Sequence, residues 1–201
     1  ATGATATFDG LAHAGSGTCD NNLTPALSYS TTDGNAPVNA GTYTLTVTCG
    51  ANSDTYNTVI ATAAVTINPA ATATVVTCPA SVVYNASAQT PCSANVSGPG
   101  GLNSTFAPSY SGNTNAGTAT ASYSYAGGGN YLASSGSKTF TITQATPSVA
   151  ISCTPAVFTG APLTPCTASV TGPGLSVAGT PTYANNVNAG IATANYTYPG
   201  S

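Results

Sequence analysis

Any acid–base chemistry in this chain would have to start from His13. It is the only histidine, and Asp9 and Asp20 lie close to it in sequence. A Ser-His-Asp system needs a base oriented by a carboxylate and a serine held on a strained turn. No such nucleophile turn accompanies these residues, so His13 reads as an exposed histidine in a turn. Glycoside hydrolysis needs two carboxyl groups flanking a cleft, and no Asp or Glu follows Asp54. Calcium needs clustered acidic oxygens, whereas Asp9, Asp20, Asp33 and Asp54 are scattered. An intramolecular isopeptide bond would have to use Lys138, with no acidic residue near it in sequence to assist. These residues point to no catalytic, cofactor-binding or metal-ligating set.

The cysteines carry more. Cys19, Cys49, Cys78, Cys92, Cys153 and Cys166 show no C-x-x-C spacing. They fall in three pairs along the chain, which favours three local disulfides and an oxidising compartment over metal binding. Five asparagines, Asn22, Asn85, Asn95, Asn103 and Asn195, head N-x-S/T triplets and are candidate glycosylation sites. Asn-, Ser- and Thr-rich chains also produce this pattern by chance.

Charge excludes several partners. Four Asp and one Lys are the only charged residues among 201, where an ordinary soluble protein carries about 25%. One lysine cannot neutralise the phosphates that a nucleic-acid partner presents. Nor can it hold an anionic membrane surface. No run approaches the roughly 20 apolar residues of a membrane span. Hydrophobic residues still make up 41% of the chain, so folding rather than disorder is expected.

The chain carries an internal repeat. Asn39-Ala40-Gly41, Asn115-Ala116-Gly117 and Asn188-Ala189-Gly190 each precede an alternating run, at offsets of 115 − 39 = 76 and 188 − 115 = 73. A period near 75 with strand-type alternation predicts tandem all-β domains. Tyr43, Leu45, Val47 and Cys49 should share one strand face, with Thr42, Thr44, Thr46 and Thr48 on the other. Ala119, Ala121, Tyr123 and Tyr125 should do the same in the second copy, and Ala192, Ala194, Tyr196 and Tyr198 in the third. Val59, Ala61, Ala63, Val65 and Ile67, and later Phe140 and Ile142, give inward faces to the closing strands. One apolar and one hydroxylated face is the pattern of an antiparallel sandwich. The expected architecture is three tandem Ig-like antiparallel β-sandwich repeats over residues 1–69, 70–144 and 145–201. The terminal repeats read as incomplete: the first without its N-terminal strand, the third without its closing C-terminal strand. An incomplete sandwich leaves an open edge, which suits either continuation of a longer repeat chain or strand addition between copies into fibres.

The pieces Phe8-Asp9-Gly10, Asn39 through Val47, Tyr56-Asn57 and Thr66-Ile67-Asn68-Pro69 resemble, in order, the bacterial Ig-like surface repeats called MBG domains. The second and third copies resemble a cysteine-bearing version, through Thr90-Pro91-Cys92 and Thr164-Pro165-Cys166. The resemblance implies large secreted or surface-attached, adhesin-like proteins, and it brings no catalytic residues. The expected function is therefore that of an extracellular or cell-surface structural protein: the shaft of an adhesin, or a filament subunit completed by strand exchange. The alternative is an adhesion module that presents the turns at 98–101 and 172–174 to a glycan ligand.

Overall fold

The computed structural model describes residues 1–20, 23–50 and 57–200, and it is all-β. Asn22, Asp54 and Tyr56 of the sequence motifs lie outside the described residues. The strands are β1 (Ala4–Thr7), β2 (Ala26–Tyr29), β3 (Gly41–Cys49), β4 (Val59–Asn68), β5 (Ala73–Thr77), β6 (Ser81–Val83), β7 (Ser93–Gly98) and β8 (Leu102–Phe106). They continue with β9 (Ser109–Ser111), β10 (Gly117–Tyr125), β11 (Ser134–Thr143), β12 (Ser148–Cys153), β13 (Cys166–Gly172), β14 (Leu175–Gly179), β15 (Thr182–Ala184) and β16 (Thr193–Asn195). Two compact units form. One holds Ala1–Cys78, Pro91–Tyr110 and Thr120–Lys138; the other holds Pro79–Thr90, Ser111–Ala119 and Thr139–Ser201.

In the first unit the opening residues make a four-stranded sheet, β1-β4-β3-β2. β3 and β4 run antiparallel from Gly41↔Ile67 to Cys49↔Val59, and β1 adds in parallel to β4. The two long strands β3 and β10 start at Asn-Ala-Gly glycines with a positive φ, +156° at Gly41 and +140° at Gly117; Gly190 of the third motif has a φ of +142° but precedes no long strand. Side chains rarely adopt that conformation, so the motif fixes where the strand begins. The alternation in β3 is realised: Leu45 and Val47 are buried and Thr42 and Thr44 exposed. In β4 it is realised only toward the C-terminal end. Val65 and Ile67 are buried, but Val59, opposite Cys49, is 62% exposed.

No second sheet lies over this core among the described residues of 1–69. A backbone strap around residues 13–19 takes its place. A Cβ added to Gly15 would come within 2.7 Å of Leu45, and one on Gly17 within 2.6 Å of Val47. The strap rests directly on the core face because these two positions have no side chain. Cys19–Cys49 pins it to β3, and the Tyr29 hydroxyl donates to the Gly15 carbonyl. The expected sandwich is thus a single sheet under a glycine strap in this part of the chain.

The same unit holds the three-stranded antiparallel sheet β5-β7-β8. Val76, Ala94 and Ala121 form its core, with Phe106 and Tyr123 against it, their rings stacked at 4.8 Å. β9 and β10 belong to a sheet of order β6-β11-β10-β9.

In the second unit, β6 pairs in parallel with the end of β11, Thr141↔Ser81 to Thr143↔Val83, just as β1 pairs with β4. β12, β13 and β14 form an antiparallel sheet, and β15 and β16 a two-stranded one. The strand expected to carry Ala192 to Tyr198 inward shrinks to Thr193–Asn195. Ala192 is exposed, and Ala194, Tyr196 and Tyr198 are only half-buried. β3 is supported along its length by ten-residue β4, whereas β16 pairs with β15 alone.

Candidate functional site

The three disulfides are Cys19–Cys49, Cys78–Cys92 and Cys153–Cys166. The last joins directly opposed residues of β12 and β13. Cys78–Cys92 lies one step beyond the Thr77↔Ser93 pair of β5 and β7. A tyrosine seals each of these two staples. The Tyr110 hydroxyl accepts from Cys92 N–H and donates to its carbonyl, and Tyr183 does the same at Cys166.

His13 Nε2 lies 3.0 Å from Asp9 Oδ1. Asp9 is held below the usual carboxylate range, mainly because its carboxylate accepts the Leu11 N–H and secondarily through His13. Asp9 thus caps a turn. Asn85 does so in the next copy by accepting from Ser87 N–H. No serine hydroxyl joins the His13 ring, so no triad is assembled among the described residues. Asp20 takes no part in this pair, and Lys138 is exposed. No group of three His, Cys, Asp or Glu side chains comes together among the described residues. Among the N-x-S/T asparagines, Asn85, Asn103 and Asn195 are exposed. Asn95 is half-buried and donates its amide to Asn103 Oδ1.

The most developed polar and aromatic constellation joins the first two copies of the repeat inside the first unit. A loop of three glycines, 127–129, projects Asn130 and Tyr131. Asn130 Oδ1 accepts from Ala40 N–H at 2.7 Å, and its Nδ2 donates to Asn39 Oδ1 at 2.9 Å. Tyr131 meets Phe8 edge to face at 5.3 Å, and its hydroxyl donates to the Pro99 carbonyl. The backbone closes the contact: Ala70 N–H donates to the Asn130 carbonyl, and Leu132 N–H to that of Ala70. Gly100 completes the seat, since a Cβ there would sit 2.7 Å from the Phe8 ring. Gly100 of the turn at 98–101, which the alternative reading offers to a glycan, lies against Phe8. The Asn-Ala-Gly motif likewise has a second role that local pattern does not reveal, because its Asn and Ala receive a side chain about 90 residues away in sequence.

Residues of the same kind recur within the second unit around an open cleft of about 530 Å³. Tyr84, Asn115, Ala116 and the Gly172-Pro173-Gly174 turn line it. A second cleft of about 360 Å³ lies beside Phe158, Tyr183, Ala192 and Ala194. In comparisons with known proteins, no family model, no curated protein and no solved structure matches the chain.

Proposed function

We propose that this chain is an extracellular structural protein. It serves as a shaft of three tandem Ig-like, all-β repeats, either in a surface adhesin or in a filament whose subunits complete one another by strand exchange. Its role is mechanical rather than catalytic. The observation that carries this reading is a tie that recurs along the chain. His13 N–H donates to Pro37 O, Gln89 N–H to Asn113 O, and Leu163 N–H to Asn186 O. Donor offsets are 89 − 13 = 76 and 163 − 89 = 74; acceptor offsets are 113 − 37 = 76 and 186 − 113 = 73. The Asn113 and Asn186 amides reinforce the second and third ties by donating to the Gln89 and Leu163 carbonyls. Repeated units of this kind, each holding one disulfide, suit a proteolysis-resistant rod in an oxidising compartment.

Strand exchange draws support from the third copy. Ile191 is 93% exposed, Val157 83% and Phe158 57%, and the 360 Å³ cleft opens along β16. A strand added beside β16 would bury this apolar surface and pair its unpartnered edge.

Electron microscopy of unreduced material tests the proposal. Regular fibres with a spacing near 100 Å, about three strands of roughly 10 residues end to end, are expected for the filament. Separate slender rods would restrict the reading to the adhesin shaft. Compact particles without elongation would overturn both.

A further inference from the structure

We propose that the tip of the β10–β11 hairpin, residues 126–133, is a latch that recognises the end of the preceding copy and holds the first two copies rigidly together. The partner it fits is a surface made of an aromatic ring, an Asn-Ala pair and the chain between the copies. Linkers between independent domains are exposed, and few contacts cross them. Here Ala70, in the linker, is 1% exposed. It shares one hydrophobic cluster with Phe8 and Ile67 of the first copy, and Ala40, Tyr43 and Tyr131 pack against that cluster. Tyr131 belongs to the second copy, so apolar packing continues through the joint.

The linker backbone is bound as well. Both polar groups of Ala70 go to the tip: its N–H donates to the Asn130 carbonyl and its carbonyl accepts from Leu132 N–H, each at 2.8 Å. The Thr72 hydroxyl extends the contact, 3.0 Å from the Leu132 carbonyl and 2.7 Å from Ser134 Oγ. Bending at the linker would break these bonds together with the two Asn130 amide bonds and the Phe8–Tyr131 ring contact. Contacts that can only open together form one cooperative unit.

The tip is shaped from within. Gly127, Gly128 and Gly129 have φ of +74°, +126° and +55°, conformations that side chains rarely adopt. Gly128 and Tyr131 exchange both backbone hydrogen bonds. A Cβ on Gly127 would come within 2.7 Å of the Tyr131 carbonyl oxygen. A loop folded on itself by local bonds presents Asn130 and Tyr131 with little ordering left to do on docking. The receiving side is equally close-fitting, since a Cβ on Gly10 would sit 2.8 Å from Gly100 Cα. Stiff joints are what a shaft needs, and in that purpose the latch rests on the shaft reading.

Residual dipolar couplings of the oxidised 201-residue protein test the latch itself. One alignment tensor is expected to fit the amides of β3 and β4 together with those of β5, β7 and β8. In Asn130→Ala/Tyr131→Ala the two sets should need different tensors, while the three disulfides and the strand chemical shifts stay unchanged. Tyr131→Phe keeps the ring and loses only the bond to Pro99, so it should still need one tensor. Hydrogen exchange of the unaltered protein gives a reading that depends on no variant. Ala40, Ala70 and Leu132 N–H should open as a unit, and Asn130→Ala should speed exchange at all three by about tenfold. Different tensors in the unaltered protein, a single tensor in the folded double variant, or three amides that open independently would each overturn the proposal. Rods that need two tensors would keep the shaft and remove the latch; compact particles with one tensor would do the reverse.

Discussion

Single residues decide how closely backbone can approach core in this protein. At Gly17 a methyl group would press on both γ-carbons of Val47, and the Cys19–Cys49 staple limits how far the strap can retreat. Gly17→Ala is therefore expected to destabilise the fold by about 1–3 kcal/mol, measured as a fall in the urea midpoint. Ala86 shows the opposite case. It holds a φ of +65°, where the equivalent positions in the other copies are Gly10 at +87° and Gly160 at +79°. A left-handed alanine costs about 1–2 kcal/mol, partly offset by the backbone entropy that glycine would lose. Ala86→Gly should raise stability by about 0.5–1 kcal/mol, read from the same midpoint; a loss of stability would show that the alanine methyl packs favourably beside Gly174. Gly179 shows the tertiary compensation available at this scale. The Tyr196 ring occupies the space its side chain would take, whereas the equivalent Phe106 stacks with Tyr123.

At the scale of elements, the strands are short and each disulfide compensates for limited core. Cys153–Cys166 ties the ends of β12 and β13, and all of β12 is exposed. The chain-entropy account assigns about 3 kcal/mol to loops the size of Cys78–Cys92 and Cys153–Cys166, and about 3.5 kcal/mol to Cys19–Cys49, whose partners lie 30 residues apart. A Cys153→Ser/Cys166→Ser double variant should become the most protease-sensitive of the three disulfide deletions. β12 and β16 have fewer partners than β3 or β10, so limited proteolysis should cut first within residues 146–200. First cuts within β3 or β10 would contradict this ranking.

Across the whole molecule, electrostatics is nearly absent as a folding force. The four Asp carboxylates and single Lys leave few groups whose protonation can differ between folded and unfolded states. Asp9 is held low by the Leu11 N–H, and Asp33 by the Asn35 side chain and then its N–H. A depressed carboxylate binds fewer protons when folded than when unfolded. Its stabilisation is therefore present above the unfolded carboxylate range and is lost as pH falls through the folded value. With so few carboxylates the decline should be shallow. The urea midpoint should move little between about pH 7 and about pH 5 and fall modestly by about pH 2. It should also be nearly insensitive to salt, because so few charges remain to be screened. A steep acid transition would mean that some group other than these carboxylates is coupled to folding.

Period-two alternation around β3 and β10, the Asn-Ala-Gly starts and the distribution of cysteines could all be read from the sequence. They are local, or they repeat at a fixed offset, and strand geometry translates them directly into faces and turns. The all-β class followed from the same signals. Local pattern could not show that Gly15 and Gly17 replace a second sheet over Leu45 and Val47, because a glycine in a loop looks the same whether it turns or lies flat on a core. Nor could it show that Asn130 and Tyr131 reach back to Asn39, Ala40, Phe8 and Pro99. Such contacts join residues far apart in sequence, and their energy exists only once both copies of the repeat are folded and facing each other. The strands around β3 and β10 and the disulfide pairs are legible in local spacing, whereas the length of β16, the cover over each core and the contacts of Asn130 and Tyr131 depend on surfaces that no single segment carries.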